Sequence, residues 1–155
     1  MALAEGDKAP DFTMAASGGR TASLKAMHGR PFLLYFYPKA DTPGCTREAC
    51  GFQEALPQLS SIGIEVIGVS KDKMKPIEAF ATKYGLRFPL ASDEDLAVAK
   101  AYGVWVEKSR YGRKYMGVER ASFLIDRHGR IARIWPKVKV DGHAAEVLQA
   151  ARELG

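Results

Sequence analysis

One stretch constrains the fold more than any other. Phe32-Leu33-Leu34-Tyr35-Phe36-Tyr37 is apolar throughout and is stopped by Pro38. A run this short and this unbroken reads as a strand buried on both faces, which requires layers above and below it. Thr42-Pro43 follows, a good N-cap ahead of a proline at the first helical position. Strand, proline turn and helix start therefore stand in succession, and Cys45 falls in the first turn of that helix. Cys45 and Cys50 are the two cysteines of the chain.

The elements on either side fit an α/β layering. Ala9 to Met14 reads as extended, Ser17-Gly18-Gly19-Arg20 as a turn, and Thr21 to Leu24 as a returning strand. The helix after Pro43 runs to about Ala55. Pro57 is expected to break or kink it, with a further turn to Ser61. Ile64 to Ser70 is β-branched and reads as the next strand. Pro76 opens a helix carrying Ile77, Phe80, Ala81 and Tyr84, which Gly85 ends. Phe88-Pro89-Leu90 is a short extended piece. Ser92 reads as the N-cap of a helix with Asp93, Glu94 and Asp95 in its first turn, ending near Tyr102-Gly103. Val104 to Val106 is extended, Ala121 to Ile125 is a second apolar strand, Arg130 to Trp135 alternates, and His143 to Leu154 closes the chain as an amphipathic helix. This order resembles a thioredoxin-like fold: a central mixed sheet flanked by helices, with an N-terminal β-hairpin extension. With 155 residues, it is expected to form a single domain over 1–155.

Composition excludes several classes of function. Charged residues make up 26% of the chain and no apolar run approaches a membrane span. Met1 to Asp7 carries no basic-then-apolar leader pattern, so the expected compartment is the cytoplasm. The net charge is +5, with its densest cluster at Lys108-Ser109-Arg110-Tyr111-Gly112-Arg113-Lys114-Tyr115. We read this cluster as a solvated hairpin turning at Gly112. No nucleic-acid-binding pattern accompanies it. His28, His128 and His143 have no ligand spacing to the cysteines, so neither a metal nor a cofactor is called for.

A thiolate in the first turn of a helix faces free N–H groups and the positive end of the dipole. Lowering a thiol pKa from about 8.5 to about 6 raises the thiolate fraction at pH 7 roughly thirtyfold. The accompanying loss of nucleophilicity is roughly tenfold, so the net gain is only a few-fold. A fast nucleophile here needs donors that stabilise the transition state of its particular substrate. Cys50 lies five residues on. In a regular helix that spacing is about 140° around the axis and about 7.5 Å along it. A disulfide would require the first turns to unwind, which Gly44 and Gly51 make easier. Spacing alone leaves two readings of Cys50 open: a partner of Cys45, or a small core residue that never meets it.

Pro38-x-x-x-Thr42-x-x-Cys45 resembles the peroxiredoxin active-site signature, and the run Phe36 to Cys50 is similar to the bacterioferritin comigratory protein (PrxQ) subgroup. The likeness continues through Val66 to Ser70, Phe88 to Asp93, Ala101 to Trp105 and Arg120 to Asp126. It implies a thioredoxin-dependent peroxidase of the atypical 2-Cys kind. Cys45 would attack hydrogen peroxide or an organic hydroperoxide and become a sulfenic acid. Thr42 would hydrogen-bond the peroxide, Pro38 would shield the thiolate, and Arg120 would support both. Cys50 would resolve the sulfenic acid as an intramolecular disulfide, which thioredoxin or a glutaredoxin-like dithiol protein would reduce. The implied roles are redox homeostasis and oxidative-stress defence, with the protein a monomer. Glu48 stands outside this set, as a residue that either orients the arginines or sits exposed. Ser122 replaces the threonine often found in relatives, with little effect expected. One rival is a thiol–disulfide oxidoreductase on the same fold, disfavoured because four residues rather than two separate the cysteines; the other is a non-enzymatic redox sensor or binding module that uses the same cysteines to switch a helix.

Overall fold

The computed structural model describes residues 3–154, leaving Met1, Ala2 and Gly155 of the expected domain outside the described residues. A seven-stranded mixed sheet forms its centre, in the order β2-β1-β5-β4-β3-β8-β9. The strands are β1 (Thr13–Ala16), β2 (Arg20–Ser23), β3 (Phe32–Phe36), β4 (Glu65–Ser70), β5 (Leu90–Ser92), β8 (Ala121–Ile125) and β9 (Ile131–Trp135). Two further strands, β6 (Trp105–Arg110) and β7 (Arg113–Val118), form a separate ribbon. The helices are α1 (Pro43–Ser61), α2 (Met74–Tyr84), α3 (Ala97–Ala101) and α4 (His143–Glu153).

The apolar run occupies the position its composition demands. β3 pairs in parallel with β4 and antiparallel with β8, and every residue of it is buried. Successive side chains of a strand point to opposite faces. Phe32, Leu34 and Phe36 accordingly join one core with Phe12, Tyr102 and Phe123. Leu33, Tyr35 and Tyr37 join the other, with Phe52, Ile77, Phe80 and Val147 from α1, α2 and α4. Gly68 of β4 allows Tyr35 its place, because a Cβ there would lie 2.9 Å from the tyrosine hydroxyl.

Two expectations need correction. α1 does not break at Pro57 but runs unbroken to Ser61. Pro57 is exposed, so the carbonyl it leaves unbonded can face water, while buried Phe52 and Leu59 hold the helix to the sheet on either side of it. Ser92 does not cap a helix. It is the last residue of β5, in register with Ser70, and its hydroxyl donates to the Asp72 carbonyl at 2.6 Å. α3 starts later, at Ala97, and the buried Asp93 carboxylate accepts from the N–H groups of Val98 (3.1 Å) and Ala99 (2.7 Å). Pairing with β4 draws Ser92 into the sheet and leaves the next acidic residue as the cap. No helix among the described residues is long and apolar enough to cross a membrane.

Candidate active site

The site forms where β3 ends and α1 begins. Pro38 is half-buried just beyond the strand, and the chain then turns through Asp41, whose φ of 59° lies in the left-handed region. Aspartate tolerates that conformation better than most residues. Two carboxylates fasten this loop. Asp72 accepts the Ala40 N–H and the Ser70 hydroxyl, each at 2.8 Å. Asp41 itself accepts from Lys83 Nζ at 2.9 Å and the Tyr84 hydroxyl at 2.8 Å, both on α2. These bonds, that of Lys83 first, hold the Asp41 carboxyl below its usual range.

Thr42 is the N-cap by position, with extended backbone, and Pro43 follows it into the helix. Its hydroxyl does not cap. Oγ1 donates instead to the Lys39 carbonyl at 2.8 Å. The hydroxyl proton is thus committed to the loop, which leaves the oxygen lone pairs to accept a hydrogen bond.

Cys45 is buried in the first turn of α1, and Cys50, one and a half turns on, is half-buried. Neither is in a disulfide. Regular helix geometry puts their Cα atoms about 8.7 Å apart. That exceeds the roughly 7 Å reach of a disulfide, so the pair cannot bond while α1 is intact.

Arg120 precedes β8 and spans from that strand to the helix. Nη2 lies 3.4 Å from Cys45 Sγ, and Nη1 donates to Glu48 Oε1 at 2.7 Å. Gly44 makes room for the guanidinium, since a Cβ there would sit 3.2 Å from Nη2. Burial alone would weaken the positive charge of Arg120, but Glu48 and Cys45 outweigh it and raise its pKa. Glu48 shows the opposite balance. Burial lifts its carboxyl from 4.5 to about 7, although Arg120 pulls it down. One cause is visible in the bonding: Oε1 has the guanidinium, whereas buried Oε2 has no partner among the described residues.

The structure brings Cys45 and Arg120 into contact, sets Thr42 at the start of the same helix and Pro38 at the start of the loop, and keeps Cys50 on another side of α1. Glu48 is the residue that sequence reasoning left out. It is buried and bonded to Arg120. Its signal was the i, i+3 spacing from Cys45, which puts both on one helix face. Ser122, two residues beyond Arg120, is buried and lies 2.8 Å from Nε2 of buried His143. This contact ties the start of α4 to β8. Among the described residues no cluster of His, Cys, Asp or Glu suits a metal ion.

A family model described as the AhpC/TSA family matches residues 5–134. A putative peroxiredoxin bcp of Coxiella burnetii is 53% identical over 148 residues, covering 96% of this chain and 98% of its own. The peroxiredoxin Bcp of Escherichia coli is 42% identical over 151 residues, covering 97% of each. Among solved structures, a PrxQ mutant of Xylella fastidiosa superposes with a TM-score of 0.93 at 37% identity, covering 99% of this chain and 98% of its own. A bacterioferritin comigratory protein of Xanthomonas campestris, described for its alkyl peroxide reduction activity, gives 0.88 at 40% identity, covering 92% and 91%.

Proposed function

The chain belongs to the AhpC/TSA family and is a peroxiredoxin, a thiol-dependent peroxidase, and from that premise we propose that it reduces hydrogen peroxide and organic hydroperoxides through Cys45 and resolves the product with Cys50. The observation that carries this reading is the 3.4 Å contact between Arg120 Nη2 and Cys45 Sγ at a helix start.

The Cys45 thiolate attacks one peroxide oxygen. The O–O bond breaks, its electron pair leaves on the second oxygen, and that oxygen takes a proton to become water or an alcohol. Cys45 is left as a sulfenic acid. Arg120 supplies a charged donor at the sulfur and at the oxygen on which charge develops, the transition-state stabilisation that a lowered thiol pKa cannot provide. Thr42 Oγ1, its proton held by Lys39, accepts the peroxide O–H. Pro38 keeps water from the thiolate.

The first turns of α1 then unwind. The Cys50 thiolate attacks the sulfenic sulfur and displaces hydroxide, which leaves as water, and a disulfide forms. A dithiol protein, thioredoxin or a glutaredoxin-like protein, reduces that disulfide and is itself oxidised. The chain works as one domain, as a monomer, in the cytoplasm, in redox homeostasis and defence against peroxide.

Peroxide consumption coupled to thioredoxin, its reductase and NADPH tests the assignment. Cys45→Ser is expected to abolish turnover. Cys50→Ser is expected to retain one equivalent of peroxide reduction and then stall. Turnover near wild type in the Cys45→Ser protein would refute the reading.

A further inference from the structure

The β6–β7 ribbon is unlike the rest of the surface. Its strands pair only with each other, and two paired strands are marginal in water on their own. Of the five exposed large apolar side chains among the described residues, Tyr111, Tyr115 and Met116 stand on this ribbon. Tyr111 occupies the turn at a φ of 52°, is 90% exposed, and has the Arg110 guanidinium 5.2 Å from its ring. A bulky residue in the left-handed region is strained, and nothing in the core repays that strain here.

The charges also work against the ribbon's own stability. Arg110 and Arg113 are directly opposed in the register, a like-charge pair that destabilises a hairpin. Arg110, Arg113 and Lys114 are in no ion pair among the described residues. Lys108, by contrast, is committed at the root, donating to the Val118 carbonyl at 2.8 Å and lying 3.8 Å from Glu119. The two opposed arginines share a face with Tyr115, because alternate residues of paired strands point the same way. Exposed arginine and tyrosine beside unpaired positive charge on one face, with Lys114 and Met116 on the other, is the composition of a protein-binding surface that favours an acidic partner.

The place of the ribbon indicates which partner. β7 ends at Val118, and Arg120, two residues on, touches Cys45. Six residues of strand extend about 20 Å, comparable with a small dithiol protein. A protein whose thiols reach the cysteines would therefore approach beside the root of the ribbon, within the ribbon's length of its charged tip. A nucleic-acid backbone fits less well, since Glu107 lies mid-strand and the free cations cluster at one tip instead of forming a track.

We propose that the β6–β7 ribbon is the docking arm for the dithiol protein that reduces the Cys45–Cys50 disulfide, and that it selects a partner with an acidic rim around its active thiols. This rests on the catalytic cycle proposed above.

The test compares the full-length wild type with Arg110→Glu/Arg113→Glu in two recycling assays. One uses an acidic thioredoxin with its reductase and NADPH, the other dithiothreitol. The double variant is expected to raise KM for thioredoxin about fivefold to thirtyfold and to flatten its dependence on salt, with dithiothreitol-driven turnover unchanged. Arg110→Lys/Arg113→Lys, which keeps the charge, should retain most of the wild-type KM. An unchanged KM and salt dependence in the charge-reversed protein would overturn the proposal. So would an equal loss with dithiothreitol, or tighter wild-type binding to a single-stranded oligonucleotide than to thioredoxin. Wild type that turns over with dithiothreitol but not thioredoxin would sink the docking arm and leave the peroxidase standing. No turnover with either reductant would sink the peroxidase reading and the docking with it.

Discussion

Gly51→Ala separates the two states that the proposed cycle asks of α1. Gly51 lies inside the helix, and an added Cβ would meet only the Ala144 Cβ of α4, at 3.8 Å, which is ordinary contact. Replacing an interior helical glycine by alanine stabilises a helix by up to about 1 kcal/mol. The reduced protein should gain that much, and its Tm should rise by about 2–4 °C. The oxidised protein should gain little. Bringing Cys45 and Cys50 from about 8.7 Å to within disulfide reach displaces residues 46–49, whose carbonyls accept from the N–H groups of residues 50–53. Gly51 then falls at the frayed start of a shortened helix, where glycine is tolerated as well as alanine or better. The difference favours the reduced state by about 1 kcal/mol, or about 20 mV in disulfide potential and roughly fivefold in the equilibrium with dithiothreitol. Redox titration monitored by thiol alkylation reads the potential, and scans of the reduced and fully oxidised forms read the two stabilities. Equal stabilisation of both forms with an unmoved potential would refute the claim that unwinding reaches residue 51.

Three further predictions concern the groups around Cys45. Arg120→Met is expected to lower kcat/KM for peroxide by about 10²–10³. Its cost to folding should fall below the roughly 3–5 kcal/mol of a broken buried pair, because Glu48, already at about 7, can take up a proton. Adding Glu48→Gln should recover thermal stability without recovering the rate. Glu48 binds more protons folded than unfolded between pH 4.5 and about 7, so its contribution favours folding below that window and is lost as pH rises through it, on the order of 3 kcal/mol. Urea midpoints at pH 5 and pH 8 should differ less in Glu48→Gln than in wild type. An unchanged difference would show that Glu48 is ionised throughout. Asp72→Ala, which releases the Ala40 N–H, should slow the reaction with peroxide about tenfold to a hundredfold in stopped-flow, while Asp72→Asn, which keeps an acceptor, should slow it far less. Equal losses in both would assign the effect to charge and not to the loop's attachment.

The legible parts of the chain were those whose physics is local. Phe32 to Tyr37 allowed only a doubly covered strand, Thr42-Pro43 marked the helix start, and the i, i+5 spacing of the cysteines required that helix to unwind before they could bond. Each follows from chain geometry over a few residues. What local rules missed was decided by partners distant in sequence. Ser92 has the form of an N-cap, but pairing with Ser70 drew it into the sheet. Pro57 should interrupt a helix, yet Phe52 and Leu59 hold α1 down on both sides. Thr42 has the sequence of a capping residue, and only the folded loop shows its proton bound to Lys39. Glu48 could have been a solvated charge, and only the fold buries it and brings its partner Arg120 from 72 residues away. Chain geometry alone was enough to say where a reactive sulfur would stand and that its helix must open if the two cysteines are to bond. Arg120 was named through resemblance, and only the tertiary structure shows that it reaches the sulfur and which carboxylate orients it, because a buried charge takes its partner from whatever the fold brings within about 3 Å.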